Sequence, residues 1–225
     1  MSSIPVPKLR CAVISLFPEM FQALTGFGVV GRAFEARIVE LLVFNPRDYT
    51  EDARRRVDAR PYGGGPGMVM QAEPLYQAIQ AAKKALGEPV QVIYLSPQGK
   101  RFKQQKAADL GEGFPFILIC GRYEGVDQRL LESVVDEEIS LGDFVVSGGE
   151  LPAMMLLDAV VRLLPGVLGD PDSALYESFQ QGSELDYPVY TEPRIWRTLK
   201  VPEVLLSGHH EKIKLWRKVE CARKK

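Results

Sequence analysis

Three short apolar segments, each followed by a polar turn that contains glycine, constrain the fold of this 225-residue chain more than any other feature. The segments are 92–95, 116–120 and 139–146, and the turns that follow them are 96–99, 121–125 and 147–150. A short apolar run closed by such a turn is typical of a buried strand that leads into a loop. Ligands of α/β proteins bind where several such loops meet at the carboxyl ends of the strands. The sequence therefore predicts one small-molecule site built from three loops.

The remaining segments predict an α/β fold. Further strands are expected at 9–17 and 38–44, and helices at 73–86, 103–110, 126–134, 151–164 and 209–221, with Ser207 as a cap of the last helix. Strands that alternate with helices favour a parallel sheet. Residues 167–202 lack periodicity and are rich in Pro, Gly, Asp and Glu. This composition predicts a linker that is partly disordered until a ligand binds.

Composition narrows the class of protein. No apolar stretch reaches the ~20 residues that a membrane span needs. Cys11, Cys120 and Cys221 are odd in number and form no C-x-x-C pair, so they predict neither a disulfide framework nor a zinc site. Such cysteines fit a reducing, cytoplasmic location. The pair His209-His210 has no second cluster of metal ligands nearby in the sequence, so no metal-binding residue is predicted.

Basic residues are concentrated in two places. Residues 212–225 carry a net charge of +6, and because the whole chain has a net charge of −1, the rest carries −7. A basic end on an acidic body suggests contact with phosphates, and the alternative is a solvated helix face. Arg54, Arg55, Arg56 and Arg60 lie beside a glycine run at 63–67. This run forms either a tight turn or a flexible lid, and the arginines favour a lid that touches nucleic acid.

The glycine-containing turns do not have the sequence of a phosphate-binding loop. Residues 26–31 match G-x-G-x-x-G, but the segment before them is helical in pattern, whereas a dinucleotide-binding turn follows a strand. No G-x-x-x-x-G-K-[ST] motif occurs. The predicted ligand loops instead contain the acids Glu124, Asp143 and Glu150, which suit a positively charged cofactor. S-adenosylmethionine, with its sulfonium and amino groups, is such a cofactor.

Several strings of residues, in their content and order, closely resemble the bacterial tRNA (guanine-N1)-methyltransferase family, TrmD. The most specific are R-P-Y-G-G-G-P-G-M at 60–68, Y-L-S-P-Q-G at 94–99, C-G-R-Y-E-G at 120–125 and G-G-E-L-P at 148–152, with further matches at 165–169 and 204–208. The resemblance extends from residue 14 to residue 217, which is nearly the whole chain.

The resemblance implies more about the fold than periodicity does. It implies a parallel sheet with a deep trefoil knot, a rare feature in proteins, and a small helical C-terminal domain. The expected organisation is a knotted catalytic domain at 1–166 that binds S-adenosylmethionine, a linker at 167–202, and a short helical tRNA-binding domain at 203–225. Members of the family are homodimers with active sites shared between subunits. They transfer a methyl group from S-adenosylmethionine to N1 of guanosine 37 in tRNA, and Mg²⁺ is associated with turnover.

Residue by residue, the matching motifs imply a cofactor-binding set. It comprises Tyr94, Leu95, Ser96, Pro97, Gly121, Tyr123, Glu124, Leu141, Gly142, Asp143, Phe144, Val145, Val146, Gly148 and Gly149. Backbone groups of the glycine turns are expected to hydrogen-bond the adenine edge, and apolar side chains to pack on its faces. Phe144 stands where many members have tyrosine, which keeps the ring and removes a hydroxyl group.

Methylation of guanine at N1 needs a base near N1 and a positive donor near O6, where negative charge grows. The resemblance implies Arg162 as the donor, and a charged residue in such an apolar helix would be costly without a task or partner. It implies Glu177 as the base, where members typically have aspartate, so the carboxylate is moved by one methylene group. Alternative bases are Asp170, Asp172 and Glu184.

The residues implied to bind RNA lie in the basic segment and near the C-terminus. They are Arg54, Asp58, Arg60, Ser207, His210 and Arg217. Ala59 replaces an aspartate that is usual in the family. Two alternative functions stay open at this point. One is a knotted methyltransferase that acts on another RNA position, and the other is a catalytically impaired RNA-binding paralogue.

Overall fold

The computed structural model describes residues 6–169, 177–179 and 185–223. The strands are β1 (Leu9–Ile14), β2 (Val39–Phe44), β3 (Asp58–Ala59), β4 (Val69–Met70), β5 (Gln91–Arg101), β6 (Phe116–Ile119), β7 (Glu137–Ser140), β8 (Ile195–Trp196) and β9 (Leu199–Lys200). The helices are α1 (Gln22–Thr25), α2 (Gly28–Glu35), α3 (Ala72–Leu86), α4 (Gln104–Glu112), α5 (Gln128–Val134), α6 (Glu150–Val161), α7 (Glu203–Leu206) and α8 (His210–Arg223). Short 3₁₀ helices at Pro18–Phe21 and Pro46–Tyr49 follow β1 and β2.

A five-stranded sheet in the order β2-β1-β6-β5-β7 forms the centre of the fold. All four neighbouring pairs are parallel. The central strand β6 is fully buried along its length, as expected for a parallel sheet with helices on both faces. The predicted α/β fold with a parallel sheet is thus confirmed, and the trefoil knot stays a prediction.

Alternate residues of the strands supply two separate cores, because successive side chains of a strand point to opposite faces of the sheet. On one face, Phe116 and Leu118 of β6 belong to a core that includes Leu156 and Val160 of α6. On the other face, Ile117 and Ile119 belong to a core that includes Leu75 and Ile79 of α3. The apolar run of β6 is therefore continuous because both faces of this strand are covered.

The third predicted strand is wrong over most of its length. The apolar pattern predicts an extended, buried segment at 139–146, but β7 ends at Ser140 and the following residues form a loop. Val145 in this loop is 84% exposed and Phe144 is 53% exposed. A run of apolar residues can serve a ligand or partner surface as well as a sheet, and periodicity does not separate the two uses.

Two other strands differ from prediction at their carboxyl ends. β1 ends at Ile14, before the 3₁₀ helix that begins at Pro18. β5 continues to Arg101, but its pairing with β7 shifts register between Leu95 and Lys100. Residues 96–99, for which the sequence predicts a turn, are the irregular part of this strand, and extra residues of this kind re-aim side chains at the edge of a site.

The predicted linker contains regular structure. β8 and β9 form a two-stranded antiparallel hairpin whose turn includes Arg197, with a left-handed φ of 56°. The sequence does not predict this hairpin, because its turn, Arg197-Thr198, lacks the glycine or asparagine that tight hairpin turns favour. The chain divides into two compact units, Met1–Gly169 and Asp170–Lys225. The finer division into a linker at 167–202 and a domain at 203–225 stays a prediction.

The three cysteines are free thiols, and two of them are buried in the first unit. Burial raises the pKa of Cys11 to about 12. Burial also raises the pKa of Cys120 well above its usual value; the nearby Glu150 adds to this rise and Arg122 opposes it. Across the described ranges, the helices are all too short or too polar to cross a membrane.

Candidate cofactor-binding site

A cavity of about 270 Å³ opens at the carboxyl ends of β6 and β7, beside the point where β5 becomes irregular. We call it the strand-end cavity. Its lining residues come from three places, the middle of β5, the turn after β6, and the segment from the end of β7 to the start of α6. They are Tyr94, Leu95, Ser96, Pro97, Gly121, Arg122, Tyr123, Glu124, Gly125, Ile139, Ser140, Leu141, Gly142, Phe144, Val145, Val146, Ser147, Gly148, Gly149 and Pro152. The three loops that the sequence predicts to meet do meet here.

Fourteen of the fifteen residues predicted to bind a cofactor line this cavity. The exception is Asp143, whose side chain is 91% exposed and forms an ion pair with Arg101 at 2.5 Å. The structure adds Arg122, Gly125, Ser147 and three neighbours to the lining. Arg122, Gly125 and Ser147 belong to the predicted turns, so extending each motif to its whole turn would have found them. The other three additions are Ile139 and Ser140 of β7 and Pro152 of α6.

Three glycines allow the loops of the strand-end cavity to pack directly on one another. A Cβ atom on Gly149 would lie 2.6 Å from Cα of Cys120, and one on Gly121 would lie 2.7 Å from the hydroxyl oxygen of Tyr94. A Cβ atom on Gly148 would overlap the guanidinium group of Arg122. The amide of Gly149 donates a hydrogen bond to the carbonyl oxygen of Gly121 at 2.9 Å, which joins the two loops. Glycine is needed at position 149 because backbone meets backbone there, whereas Gly121 and Gly148 leave room for the side chains of Tyr94 and Arg122.

The turn after β6 has a backbone conformation that residues other than glycine rarely adopt. Tyr123 has a φ of 60°, in the left-handed region, and Gly125 has a φ of 123°. A left-handed non-glycine residue persists only where its surroundings enforce it, and such residues cluster at ligand sites. Here the amide of Gly125 donates to the carbonyl oxygen of Arg122 at 3.1 Å and closes the turn. The turn therefore presents Tyr123 and Glu124 at the cavity.

The three acids expected to face a cationic cofactor lie in different environments. Only Glu124 lines the strand-end cavity. Glu150 is fully buried, where its two oxygens accept hydrogen bonds from Ser15 Oγ and Arg122 Nε, both at 2.8 Å. Asp143 is paired with Arg101 as described. The prediction that acids at the loop ends suit a positively charged cofactor therefore depends on Glu124, because the carboxylates of Glu150 and Asp143 already have partners in the protein.

Arg122 connects this buried carboxylate to the cavity. Its guanidinium group also donates to the carbonyl oxygen of Ser147 at 3.1 Å and lies over the ring of Phe17, 4.6 Å from the ring centre. A cation at this distance from an aromatic ring is attracted to the face of the ring. Arg122 thereby ties the loop after β1, the turn after β6 and the start of α6 together around the cavity.

Two hydroxyl groups at the cavity, those of Ser96 and Ser140, are hydrogen-bonded within the protein. Ser96 Oγ accepts a hydrogen bond from the amide of Gln98 at 3.1 Å. Ser140 Oγ lies 3.1 Å from the carbonyl oxygen of Gly142 and 3.3 Å from its amide. Burial, with a smaller effect of Glu138, raises the pKa of Tyr94, so its phenol stays protonated and can donate.

The predicted RNA-binding residues of the first unit lie in the basic segment. Arg54 and Arg60 are exposed, and Asp58 is half-buried in β3. The neighbouring arginines are engaged locally, since Arg55 pairs with Asp48, and Arg56 pairs with Asp52 at 2.5 Å. The hydrogen bond from Arg56 is the main cause that lowers the pKa of Asp52 to about 2.

The two predicted catalytic residues do not line the strand-end cavity. Arg162 follows the last residue of α6 and is half-buried at a second cavity of about 260 Å³, which also includes Asp158 and residues of α1 and α2. Glu177 is half-buried and belongs to the second compact unit. The alternative bases Asp170, Asp172 and Glu184 lie outside the described residues.

The second unit pairs aromatic and basic side chains. The guanidinium group of Arg217 lies 4.5 Å from the ring centre of Tyr187, and that of Arg197 lies 4.8 Å from the ring of Trp196. Ser207 follows the last residue of α7. Its hydroxyl group accepts a hydrogen bond from the amide of His209 at 3.2 Å, one residue before α8 begins at His210. Within the part of the chain that the structure describes, no cluster of three or more His, Cys, Asp or Glu residues could hold a metal ion.

The fold and the site define a class of protein, an α/β protein with a cavity at the carboxyl ends of its parallel strands. A profile of the tRNA (guanine-1)-methyltransferase family TrmD matches residues 9–225. The tRNA (guanine-N(1)-)-methyltransferase of Shewanella sp. (strain ANA-3) is 58% identical over 205 residues, which cover 91% of this chain and 82% of the relative. The corresponding protein of Shewanella sediminis (strain HAW-EB3) is 56% identical over 209 residues, covering 93% and 86%.

A solved structure of a tRNA methyltransferase is also similar to this chain. The crystal structure of the tRNA (m1G37) methyltransferase from Aquifex aeolicus aligns with a TM-score of 0.77 and 42% sequence identity, and covers 93% of this chain and 87% of that one. The chain belongs to the TrmD family of tRNA (guanine-N1)-methyltransferases.

We predict that Gly149→Ala destabilises the first unit. Gly149 has a φ of −77°, which alanine tolerates, so the cost comes from the clash between the new Cβ atom and Cys120. We expect the free energy of unfolding to fall by about 1–3 kcal/mol, measured by urea denaturation with circular dichroism. Gly169→Ala is the control, because a Cβ atom added there would have no other atom within 4 Å. Equal effects of the two substitutions would contradict the argument.

We also predict strong coupling between Glu150 and Arg122. Glu150→Ala leaves Arg122 without its buried counter-ion and should lower the free energy of unfolding by about 3–5 kcal/mol. In the double variant with Arg122→Ala, the loss should be smaller than the sum of the single losses by about 1 kcal/mol or more. Additive losses in a urea denaturation cycle would show that the pair does not act as a unit.

Proposed function

We propose that this protein transfers a methyl group from S-adenosylmethionine to N1 of guanosine 37 in tRNA. The observation that carries the proposal is the strand-end cavity, which fourteen of the fifteen predicted cofactor residues line in a chain of the TrmD family. The names of the relatives support guanine N1 as the target atom. The similarity to the tRNA (m1G37) methyltransferase of Aquifex aeolicus supports position 37.

The strand-end cavity fits the chemistry of S-adenosylmethionine. Leu95, Leu141 and Val146 supply apolar surface for the adenine ring, and the glycine turns supply backbone donors and acceptors for its edge. Glu124 is the one carboxylate among the lining residues, and it is suited to the positive charge of the sulfonium or amino group. When bound, S-adenosylmethionine would supply an electrophilic methyl group, whose bond to the sulfonium sulfur would break so that S-adenosylhomocysteine is left.

Two residues that do not line the strand-end cavity, Glu177 and Arg162, act on the guanine in this proposal. Its N1 carries a proton at neutral pH and is a poor nucleophile, so that proton must leave as the N1–methyl bond forms. Glu177 takes this proton, and the guanidinium group of Arg162 donates to O6, where negative charge grows. Both roles rest on the match to the family motifs.

A homodimer with shared active sites accounts for the position of Arg162. Within one chain, Arg162 lines the second cavity and not the strand-end cavity. A second copy could bring an Arg162 to the strand-end cavity of the first. The apolar side chains exposed near the cavity, including Phe144, Val145, Leu151 and Met155, offer a surface for such contact.

Exposed basic side chains support contact with tRNA phosphates. Arg54 and Arg60 are exposed in the first unit, and His210 and Arg217 in the second. Contacts of this kind give affinity that falls steeply with salt. A role for Mg²⁺ in turnover and a cytoplasmic location complete the proposal, and both rest on the family resemblance.

The replacement of the family's aspartate by Glu177 favours one second candidate, a catalytically impaired RNA-binding paralogue. Glutamate places the carboxylate one methylene group further from the backbone. A displacement of ~1 Å at a reacting group can cost about a hundredfold in rate.

The proposed function predicts methyl transfer to tRNA transcripts with guanosine at position 37 and none to transcripts with adenosine there. Adenine N1 carries no proton and adenine has no O6, so the base and the donor have no partners on it. Transfer is measured with radiolabelled S-adenosylmethionine, and the product is mapped by mass spectrometry of nucleosides. N1-methylguanosine is expected. Ribose methylation would instead support a relative with another target, and cofactor binding without any transfer would support the impaired paralogue.

We predict that Glu177→Gln lowers the rate of methyl transfer by about 10²–10⁴-fold, the usual contribution of a general base. Glutamine keeps the size of the side chain but cannot accept the proton, so cofactor affinity should not change. The control is Glu192→Gln, which alters an exposed acid of the same unit. Single-turnover kinetics and calorimetry with S-adenosylhomocysteine separate the two effects. Undiminished transfer by Glu177→Gln would exclude Glu177 as the base.

A further inference from the structure

The segment at 60–70, which we call the glycine segment, is hydrogen-bonded along one edge to the turn after β6. The amide of Glu124 donates to the carbonyl oxygen of Met68, and the amide of Met70 donates to that of Gly125, both at 2.9 Å. The amide of Asp127 donates to the carbonyl oxygen of Met70 at 3.1 Å, and a parallel bridge pairs Met70 with Val126. A predicted RNA-binding segment and a predicted cofactor loop therefore share one stretch of backbone pairing.

Within the glycine segment, Gly67 lies directly against the side chain of Glu124. A Cβ atom on Gly67 would lie 2.6 Å from Cγ and 2.8 Å from Cδ of Glu124, and closer still to one carboxylate oxygen. Only hydrogen at position 67 leaves room for the Glu124 side chain where it lies. Glu124 also lines the strand-end cavity, so the same carboxylate faces the glycine segment and the cavity.

The other glycines of the segment provide an internal comparison. Gly63, Gly64 and Gly65 have left-handed φ values of 84°, 81° and 116°, and Gly67 has 77°. All four therefore need glycine for backbone reasons. A Cβ atom added at Gly63, Gly64 or Gly65 would have no other atom within 4 Å, whereas one added at Gly67 would meet the Glu124 side chain. Gly67 thus carries a constraint that its neighbours lack.

We propose that Gly67 is a positioning residue for Glu124, and that this contact makes the glycine segment and the strand-end cavity respond to each other's ligand. The inference rests on the proposed function, since it takes S-adenosylmethionine as the ligand of the cavity and tRNA as the ligand of the segment. Movement of the segment shifts the carboxylate that faces the cavity. By linkage, a ligand that fixes the carboxylate also fixes the segment, and the change in affinity is the same in both directions.

The first experiment compares Gly67→Ala with Gly64→Ala by calorimetric titration with S-adenosylhomocysteine. Both substitutions put alanine at a left-handed φ, so both should lower the melting temperature to a similar extent. Only Gly67→Ala is expected to weaken binding by tenfold or more, while Gly64→Ala should stay within twofold of the unsubstituted protein. Equal affinities of the two variants would overturn the positioning role.

The second experiment asks whether Glu124 is the group displaced. Glu124→Asp keeps the charge and removes one methylene group, which makes room beside position 67. The factor by which Gly67→Ala weakens binding should therefore be at least threefold smaller in the Glu124→Asp background than in the unsubstituted protein. The same factor in both backgrounds would show that Gly67 acts independently of Glu124.

The third experiment measures the coupling itself. The affinity for S-adenosylhomocysteine is determined with and without a saturating tRNA transcript that carries guanosine at position 37. We expect at least threefold tighter binding with tRNA in the unsubstituted protein and no such change in Gly67→Ala. Affinity unchanged by tRNA in the unsubstituted protein would overturn the coupling. Failure of that protein to bind S-adenosylhomocysteine at all would instead refute the proposed function, so the two failures are distinct.

Discussion

The site depends most on the interactions of the fully buried carboxylate of Glu150 with Ser15 and Arg122. Glu150 is the first residue of α6, and it joins Ser15, just after β1, to Arg122, in the turn after β6. Three segments distant in sequence therefore meet at one charge. Buried ion pairs often contribute little net stability compared with apolar packing, but losing one partner is strongly destabilising. The pair thus specifies where the loops lie more than it adds to the stability of the fold.

Close approach of backbone to backbone is the second constraint. Gly121 and Gly149 have no side chains, and the hydrogen bond between them holds the start of α6 against the turn after β6. The left-handed Tyr123 shows that this turn is shaped by its surroundings rather than by local preference. A rigid rim of this kind orders the ligand-facing groups before a ligand binds, which lowers the entropic cost of binding.

Much of the sheet follows from the sequence, because strands buried on both faces are short apolar runs closed by turn residues. β2, β6, α3 and α8 lie within a few residues of their predicted bounds. The loop at 141–146 differs from its predicted strand because its apolar side chains resemble those of a core. The role of Glu150 could not be foreseen, since its partners Ser15 and Arg122 are 135 and 28 residues away in the chain. The sequence does not predict the hairpin of β8 and β9, because its turn lacks the glycine or asparagine that tight hairpin turns favour.

The burial of Cys120 has a chemical consequence for an enzyme of this proposed activity. Cys120 lies immediately before Gly121, beside the cavity that we propose holds S-adenosylmethionine, and a thiolate is a far stronger nucleophile than guanine N1 at neutral pH. Burial raises the pKa of Cys120 well above its usual value and keeps the side chain inaccessible. The sulfur therefore stays protonated, and the fold protects the enzyme from alkylating itself.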